Sequence, residues 1–360
     1  MDNTAKVRLT LEDGTVYSGR SFGAPVASAG EVVFNTAMTG YPESLTDPSY
    51  KGQILCLTYP LVGNYGAPAK SEENDLFSFY ESSSIHISGL IVSDYSFDYS
   101  HWNASESLDA WLKRNGIPGV FGIDTRALTK RIREKGAMPG KLEPEGTVTD
   151  FFDPNKTNLV AEVSTGEKKV YGSGRYRIML VDCGVKYNII RNLLKRDTTV
   201  IRVPWDYDYH DDDYDGLFLT NGPGDPKMCI KTIENIRKSF SVNKPIFGIC
   251  LGNQLMALAS GADTYKLRYG HRSHNQPVIL AGTDKAYITS QNHGYAVDNK
   301  TLASDWEPLF ININDNTNEG MRHKTRPFFS TQFHPEASGG PTDTDYLFDE
   351  FIRNIQINNP

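Results

Sequence analysis

Cysteine is scarce in this sequence, and its four occurrences show no pattern of pairing. Cys56, Cys183, Cys229 and Cys250 are scattered through 360 residues, and no two of them form a Cys-x-x-Cys pair. This spacing argues against a disulfide framework and against a zinc site built on cysteine pairs. Scattered, reduced thiols are typical of cytosolic enzymes, so we predict a cytoplasmic protein.

Long apolar runs and an excess of positive charge are also missing. No apolar segment reaches the roughly 20 residues that a membrane-spanning helix requires. The segment Met1–Leu11 alternates polar and apolar side chains, which predicts a strand rather than a signal peptide. The formal net charge is −7, and no stripe of Lys and Arg is interleaved with aromatic residues. Neither nucleic acid nor a membrane is therefore an expected partner.

The sequence contains no recognisable nucleotide-binding or metal-binding signature. It has no G-x-x-x-x-G-K-[ST] motif, and its G-x-G pairs lack a third glycine. The acidic segment Asp211–Asp215 begins like a calcium loop, but Gly222 stands where such a loop has Glu. His271, His274 and His293 invite a metal interpretation, yet no carboxylate or cysteine is identified that completes the ligand set. We therefore predict no metal and no cofactor in this chain.

Length and composition indicate a globular protein of about two domains. Apolar residues make up 39% and charged residues 22% of the chain, which is ordinary for folded proteins. A polar stretch that closes on Tyr171-Gly172-Ser173-Gly174 has the character of a linker. We predict a first domain over residues 1–150, a connector over 151–175 and a second domain over 176–360.

The two predicted domains differ in their periodicity. The first has short alternating runs, which predict strands, at Val7–Leu11 and Glu31–Thr36. It also has two segments that predict helices, at Ser105–Arg114 and Thr125–Lys135. The second has nearly continuous apolar runs at Arg177–Val181, Gly216–Thr220 and Pro245–Ile249. Segments of helical periodicity lie between them, at Tyr187–Leu194 and Thr232–Ser239. Strands that are apolar on both faces and alternate with helices indicate a covered parallel sheet. The predicted fold class is α/β: a β-rich mixed domain followed by a mostly parallel sheet flanked by helices.

Cys250 lies between one of these apolar strands and a helical segment that ends at Gly261. Gly248 and Gly252 stand two residues to either side, which allows a sharp turn that projects the intervening side chain. The dipole of a helix N-terminus favours the thiolate, and the backbone N–H groups there can stabilise an oxyanion. A buried structural cysteine is the commoner role of a single Cys, but the flanking glycines favour a nucleophile.

A base and its orienting group follow a second strand, predicted at Phe328–Phe333. His334 and Glu336 are two residues apart, so on an extended segment both side chains project to the same side. The carboxylate can then fix the tautomer of the imidazole and stabilise its cation. Together with Cys250, these residues predict a thiol nucleophile with a His–Glu base.

Three motifs resemble those of class I glutamine amidotransferases. They are Gly248–Gln254, His334–Glu336 and Asn221–Pro226, in the family's order, and the resemblance extends from about Arg175 to the C-terminus. It implies hydrolysis of the side-chain amide of L-glutamine through a thioester.

The first half of the chain resembles the domain peculiar to the small subunits of carbamoyl-phosphate synthases. The matching motifs are Gly30–Thr36, Met38–Tyr41, Leu45–Tyr50, Thr58–Pro60 and Gly122–Arg126. The resemblance implies a complex with a large synthetase subunit, which would carry the ATP and Mg sites and make carbamoyl phosphate for arginine and pyrimidine biosynthesis. Since the first domain contains no triad residue, we expect it to supply much of the docking surface for that subunit.

The resemblance assigns roles to individual residues. Cys250 corresponds to the nucleophile, His334 to the general base and acid, and Glu336 to its orienter. The backbone N–H groups of Leu251 and of the Gly222–Gly224 loop correspond to the oxyanion hole. The residues that correspond to the glutamine site are Gln254, Asn292, Gly294, Tyr295 and, from the first domain, Ser49. Lys186 belongs to a motif near the site. Asn253 replaces a His that is common in relatives, so no essential base is expected there.

Three alternatives follow from the same residues. The chain could serve another pathway, such as anthranilate, GMP or CTP synthesis, although the motifs of the first half argue against this. A hydrolase of γ-glutamyl peptides would use similar strand-and-turn chemistry. A catalytically inactive regulatory subunit is the third alternative, and the complete triad argues against it.

Overall fold

The chain forms two compact units in the computed structural model, which describes residues 5–73 and 76–358. The first unit is Met1–Thr157 and the second is Asn158–Pro360. This division falls within residues 151–175, the predicted connector. The exact limits of the two domains stay a prediction. Among the described residues, none of the helices combines the length and apolar character needed to cross a bilayer.

The first unit is rich in strands, as predicted. Its strands are β1 (Lys6–Leu11), β2 (Val16–Gly23), β3 (Ser28–Asn35), β4 (Gln53–Leu57), β5 (Leu61–Val62), β6 (Ala67–Pro68), β7 (Glu72–Glu73), β8 (Leu76–Phe77), β9 (Gly89–Ile91), β10 (Asp94–Tyr95), β11 (Ala104–Glu106), β12 (Pro118–Phe121) and β13 (Met138–Pro144). Its α-helices are α1 (Tyr41–Thr46), α2 (Leu108–Arg114) and α3 (Thr125–Lys135).

A closed barrel forms the centre of this unit, in the order β1-β13-β3-β4-β9-β12-β2. The pairs β3–β4, β4–β9 and β9–β12 are parallel, and the other pairs are antiparallel. Closure pairs every strand of the barrel on both sides, so no edge is left open. Val33, Leu55, Leu90 and Trp111 are among the buried residues of its core.

Both predicted helices of this unit are present, and one of them begins later than predicted. Helix α3 has the predicted bounds, and the Asp124 side chain accepts a hydrogen bond from the Ala127 N–H at 2.8 Å as its N-cap. Helix α2 begins at Leu108 rather than at Ser105, because Ser107 is the residue that caps it. The strand predicted over Met1–Leu11 is confirmed for Lys6–Leu11, and residues 1–4 lie outside the described part.

The second unit contains a ten-stranded sheet in the order β14-β16-β15-β17-β18-β23-β22-β21-β19-β20. Its strands are β14 (Lys169–Tyr171), β15 (Tyr176–Asp182), β16 (Thr198–Pro204), β17 (Gly216–Leu219), β18 (Ile246–Ile249), β19 (Thr264–Leu280), β20 (Ala286–Val297), β21 (Trp306–Asn312), β22 (Asn318–His323) and β23 (Phe328–Thr331). Its α-helices are α4 (Val160–Val163), α5 (Tyr187–Leu194), α6 (Ile230–Ser239), α7 (Leu251–Ser260) and α8 (Tyr346–Asn358).

The middle of this sheet, from β16 through β15, β17 and β18 to β23, is parallel, as predicted from its apolar strands. Both faces are covered. Leu255 and Met256 of α7 pack with one buried cluster, and on the other face Phe348 of α8 contacts Phe218 and Phe247. The predicted α/β fold class is therefore confirmed. The sheet is parallel only in its middle, however, because β14 and the strands from β22 to β20 pair antiparallel.

Parallel pairing of β18 with β23 brings two chain segments to one edge of the sheet. Ile249 pairs with Thr331, so the carboxyl ends of the two strands lie side by side. Cys250 follows the first strand directly, and His334 follows the second after two more residues. This register is the reason that residues separated widely in sequence share one site.

Candidate active site

Cys250 occupies a sharp turn between β18 and α7. Its backbone has φ +54° and ψ −102°, a region that residues with a side chain rarely adopt. Its N–H donates to the Thr331 carbonyl oxygen at 2.7 Å, which ties the turn to β23. The thiol is buried and lies 3.6 Å from the carbonyl oxygen of Asn292. A strained residue held by surrounding pairing is characteristic of a functional position.

Gly248 and Gly252 make this turn sterically possible. A Cβ atom on Gly252 would lie 2.4 Å from the Leu219 carbonyl oxygen, and one on Gly248 would lie 2.8 Å from backbone atoms of Gly252. Neither contact can be relieved by moving a flexible side chain alone. The two glycines therefore allow α7 to begin directly against the ends of β17 and β18.

His334 and Glu336 form the predicted pair. The imidazole Nδ1 donates to the Glu336 Oε1 at 2.7 Å, and the His334 N–H donates to the Ser290 carbonyl oxygen at 2.9 Å. Both side chains are buried. The other imidazole nitrogen, Nε2, makes no hydrogen bond of ordinary geometry with the described residues. Because the carboxylate fixes the proton on Nδ1, Nε2 is the nitrogen that can exchange a proton with a reacting group.

A buried lysine completes this arrangement. The Lys186 Nζ donates to the Glu336 Oε1 and to the Ala337 carbonyl oxygen, each at 2.9 Å. Its backbone N–H donates to the Asn221 side-chain oxygen at 3.1 Å. The motif around Lys186 was placed near the site from sequence, but its contact with the orienting carboxylate is visible only in the structure.

The charges of these groups shift each other's pKa values. Burial opposes a charged carboxyl group, but Lys186 and His334 lower the pKa of Glu336 to about 2. Burial and Lys186 likewise oppose a charged imidazole, but Glu336 and the Cys250 thiol raise the pKa of His334 to about 10. Cys250 and His334 follow the paired ends of β18 and β23, so the thiol and the imidazole lie at the same edge of the sheet. The site therefore holds an anionic Glu336 beside a readily protonated His334.

The predicted oxyanion-hole residues lie on two adjoining elements. Leu251 is the first residue of α7, and the first N–H groups of a helix have no acceptor within the helix. Gly222 packs so closely that a Cβ atom there would lie 2.1 Å from the Cys183 carbonyl oxygen and 2.7 Å from the Leu251 side chain. Gly224 has φ +83°, which favours glycine. The loop that carries both glycines thus adjoins the start of α7.

Gln254 is held by its amide nitrogen, one turn after Cys250. Its Nε2 donates to the Tyr295 carbonyl oxygen at 2.9 Å and to the Gln332 side-chain oxygen at 3.1 Å. Tyr295 therefore takes part through its backbone. Gln332 was not predicted as a site residue, although its position two residues before His334 offered a signal.

The remaining predicted residues are placed as follows. Asn292 and Gly294 lie on β20 with Tyr295, and the carbonyl oxygen of Asn292 faces the Cys250 thiol. Ser49 belongs to the first unit, where its N–H donates to the Asp47 side chain at 2.9 Å and the residue is buried. Its participation in the glutamine site stays a prediction.

The side chain of Asn253 is hydrogen-bonded to other buried side chains. Its side-chain nitrogen donates to the Gln332 side-chain oxygen at 3.1 Å, and its side-chain oxygen accepts from the Ser330 hydroxyl at 2.8 Å. With both ends of the amide hydrogen-bonded in the interior, Asn253 supports Gln332.

The prediction that no carboxylate accompanies the clustered histidines is wrong. Glu319 lies between His271 and His293, and suitable donor atoms of all three lie within 4.8 Å of one another. The separation in sequence concealed this grouping, because β22 reaches the histidines of β19 and β20 only through folding. His271 also contacts Asp315 at 2.8 Å, so a protonated imidazole between two carboxylates accounts for the cluster.

Comparison with known proteins identifies two families along the chain. The family described as Glutamine amidotransferase class-I matches residues 179–354, which include Cys250, His334 and Glu336. The family described as Carbamoyl-phosphate synthase small chain, CPSase domain, matches residues 9–142.

Individual relatives are similar over nearly the whole chain. The carbamoyl phosphate synthase arginine-specific small chain of Saccharomyces cerevisiae is 49% identical over 98% of this chain and 89% of its own length. A mitochondrial carbamoyl-phosphate synthase (ammonia) of Aquarana catesbeiana is 53% identical over 97% of this chain. The multifunctional protein CAD of Squalus acanthias is 54% identical over 96%. The chain spans only 24% and 16% of the length of these last two proteins.

Proposed function

Since the chain belongs to the family of carbamoyl-phosphate synthase small chains, we propose that it hydrolyses L-glutamine and supplies the ammonia to a large synthetase subunit. The observation that supports this most directly is the strained Cys250 beside a buried His334–Glu336 pair. Such a pair serves to activate a nucleophile and to protonate a leaving group.

The first half-reaction forms a thioester. His334 Nε2 holds the proton of the Cys250 thiol while the sulfur attacks the side-chain carbonyl carbon of glutamine. Negative charge develops on the carbonyl oxygen, and N–H groups of Leu251 and of the Gly222–Gly224 loop stabilise it. The C–N bond then breaks as His334 returns the proton to the departing nitrogen, which leaves as ammonia.

The second half-reaction restores the enzyme. His334 removes a proton from water as the water oxygen attacks the thioester carbonyl carbon. The same oxyanion hole stabilises the second tetrahedral intermediate, and the C–S bond breaks to release glutamate. Glu336 remains anionic throughout, because its role is to hold Nδ1 and to stabilise the imidazolium.

Ammonia must reach the synthetase without becoming ammonium, since a protonated nitrogen has no lone pair with which to attack. We therefore place glutamine hydrolysis in a complex with a large subunit that binds ATP, Mg and bicarbonate and makes carbamoyl phosphate. The product would serve arginine and pyrimidine biosynthesis, and no cofactor is assigned to this chain. The first unit is proposed to supply much of the docking surface.

The proposal is tested by combining the chain with a purified large synthetase subunit. We expect glutamine-dependent carbamoyl phosphate synthesis and a glutaminase rate that the large subunit stimulates strongly. Cys250→Ser should abolish the glutamine-dependent reaction while synthesis from added ammonia continues. Cys229→Ser is the matched control, because Cys229 is a buried thiol in the same unit away from the triad.

The outcomes separate this proposal from its alternatives. Equal loss of glutamine-dependent and ammonia-dependent synthesis in Cys250→Ser would assign Cys250 a structural role. Cleavage of γ-glutamyl peptides in preference to free glutamine would indicate a peptide hydrolase. An unreactive Cys250 in the presence of a chloroketone analogue of glutamine would indicate a regulatory subunit.

A further inference from the structure

Glu319 is a fully buried carboxyl group that the proposed mechanism does not use. It lies on β22 with no exposed surface. Its Oε1 accepts hydrogen bonds from the Asn312 side chain and the Thr317 hydroxyl, each at 3.2 Å. A buried charge of this kind is expensive to desolvate unless it is paired. Its presence in the core therefore calls for a specific partner.

His271 is that partner. Its Nδ1 lies 3.3 Å from the Glu319 Oε1, and its Nε2 lies 2.8 Å from the Asp315 Oδ2. Although burial opposes a charged imidazole, the two carboxylates raise the pKa of His271 to about 9. Burial raises the pKa of Glu319, and His271 opposes that rise. An imidazolium here therefore faces a buried carboxyl group on one side and the half-exposed Asp315 carboxylate on the other.

The Glu319–His271 pair adjoins Gln332, one of the two groups that hold Gln254. The Glu319 carbonyl oxygen accepts from the Gln332 N–H at 2.8 Å, and the Gln332 side-chain oxygen accepts from Gln254 Nε2. On the other side, the Glu319 Oε1 lies 3.9 Å from the Nε2 of His293. Because His293 carries its proton on Nδ1, its Nε2 cannot donate to Glu319 at this distance, and Glu319 reaches Gln254 through Gln332.

The other acceptor of Gln254 is the backbone of Tyr295, which His293 also contacts. His293 Nδ1 lies 2.8 Å from the Tyr295 carbonyl oxygen, which can only accept, so this nitrogen carries the proton. The same carbonyl oxygen accepts from Gln254 Nε2. The two acceptors of Gln254 Nε2 are thus the Tyr295 carbonyl oxygen and the Gln332 side-chain oxygen.

We propose that the buried Glu319–His271 ion pair positions Gln254 for binding of the substrate glutamine. The inference rests on the proposed function. The Glu319 carbonyl oxygen fixes the Gln332 backbone, and the Gln332 side-chain oxygen is one of the two acceptors that hold the Gln254 nitrogen. With Nε2 engaged twice, the side-chain oxygen is the polar atom that Gln254 offers to an N–H of the substrate. Glu319 and His271 are positioning residues, since neither contacts the reacting thiol.

The test measures labelling of Cys250 by a chloroketone analogue of glutamine, followed by mass spectrometry of the Cys250 peptide in the full-length chain. Glu319→Gln keeps the size of the side chain but leaves His271 without its buried counter-charge. We expect the half-saturating concentration of the analogue to rise at least about tenfold. The rate of labelling by iodoacetamide, which does not use the glutamine site, should stay within about twofold of the native rate.

His271→Gln removes the other member of the pair and is the second variant. It should also raise the half-saturating concentration, and it decides the question if Glu319→Gln does not fold. Asp315→Asn is the matched control, because it changes the half-exposed carboxylate on the outer side of the same imidazole. The half-saturating concentration of the analogue for that variant should stay within about threefold of the native value, because Asn can still accept the hydrogen bond.

Three results would overturn the inference. A folded Glu319→Gln or His271→Gln variant that saturates at the native concentration would show that the pair does not position Gln254. Equal effects of Asp315→Asn and Glu319→Gln would indicate general destabilisation. One equivalent of divalent metal retained by the native chain after dialysis against a chelator would assign the cluster to metal binding. Failure of the native chain to be labelled by the analogue would instead contradict the proposed function.

Discussion

Lys186 and His334 donate hydrogen bonds to the same oxygen of Glu336, at 2.9 Å and 2.7 Å. One carboxylate oxygen therefore lies between an ammonium group and an imidazole in a buried site. Lys186 lowers the pKa of Glu336 and also opposes the cationic form of His334. We infer that this lysine keeps Glu336 anionic and fixed, while it moderates how strongly His334 holds a proton.

Replacing Lys186 with Met should impair catalysis and stability together. The change leaves the buried Glu336 with one donor fewer and raises its pKa, so the acid limb of the pH–rate profile should move to higher pH. We expect glutaminase activity to fall at least about tenfold. The free energy of unfolding should fall by about 3 kcal/mol, as for a buried pair that loses one member. Urea unfolding and pH–rate profiles measure both effects.

Lys227→Met is the control for this prediction. Lys227 pairs with Asp263 at 2.6 Å in the same unit, but both side chains are about half exposed. Its loss should change the free energy of unfolding by no more than about 1 kcal/mol. Equal losses in the two variants would contradict a special role for Lys186.

The raised pKa of His334 predicts a specific pH dependence of stability. Its folded-state pKa is about 10, against about 6.5 for an unfolded His. The folded state therefore binds the proton more tightly, and the resulting stability is complete below about pH 6.5 and lost as the pH rises through about 10. As the pH rises from about 6.5 to about 10, the free energy of unfolding of the native chain should therefore fall relative to that of His334→Gln.

His274→Gln provides a comparison of opposite sign. Burial, Lys186 and His334 lower the pKa of His274 to about 4. The unfolded state then binds the extra proton, so the native chain should lose stability relative to this variant as the pH falls from about 6.5 towards 4. Urea titrations at several pH values test both slopes, and parallel curves for all three proteins would refute the assignments.

Gly252→Ala should disrupt the turn at Cys250. The added Cβ atom would lie 2.4 Å from the Leu219 carbonyl oxygen, so the start of α7 must shift. We expect a loss of about 1–3 kcal/mol in the free energy of unfolding, typical of overpacking, with slower labelling of Cys250. Gly166→Ala is the control, since a Cβ atom there meets nothing within 4 Å. Similar behaviour of the two variants would show that close packing at Gly252 is unimportant.

Ser49→Ala tests the assignment of a residue of the first unit to the glutamine site. Loss of a hydroxyl that binds substrate should raise the KM for glutamine by roughly tenfold, while labelling of Cys250 by iodoacetamide is unchanged. Ser18→Ala, at an exposed position on β2, should leave the KM unaltered. An unchanged KM in Ser49→Ala would remove Ser49 from the proposed site.

Local sequence was sufficient to predict the parts of the site that lie close together along the chain. The apolar strand, the flanking glycines and the following helix predicted the turn at Cys250, and the two-residue spacing of His334 and Glu336 predicted their contact. Strand and helix geometry explain the first of these predictions. His334 and Glu336 instead meet in a turn, because β23 ends at Thr331 and not at Phe333 as predicted. The α/β fold class followed from the same periodicities.

Long-range pairing alone determined the groups that support the triad. Lys186 contacts Glu336 across 150 positions of sequence, and Glu319 reaches His271 only because β19, β20 and β22 belong to one sheet. Gln332 likewise acquires its role through Gln254. No local pattern specifies these contacts, since they depend on strand order and register across the whole sheet. The sequence thus determined the fold class and predicted the nucleophile and its base, whereas the tertiary structure decided which buried charges surround them.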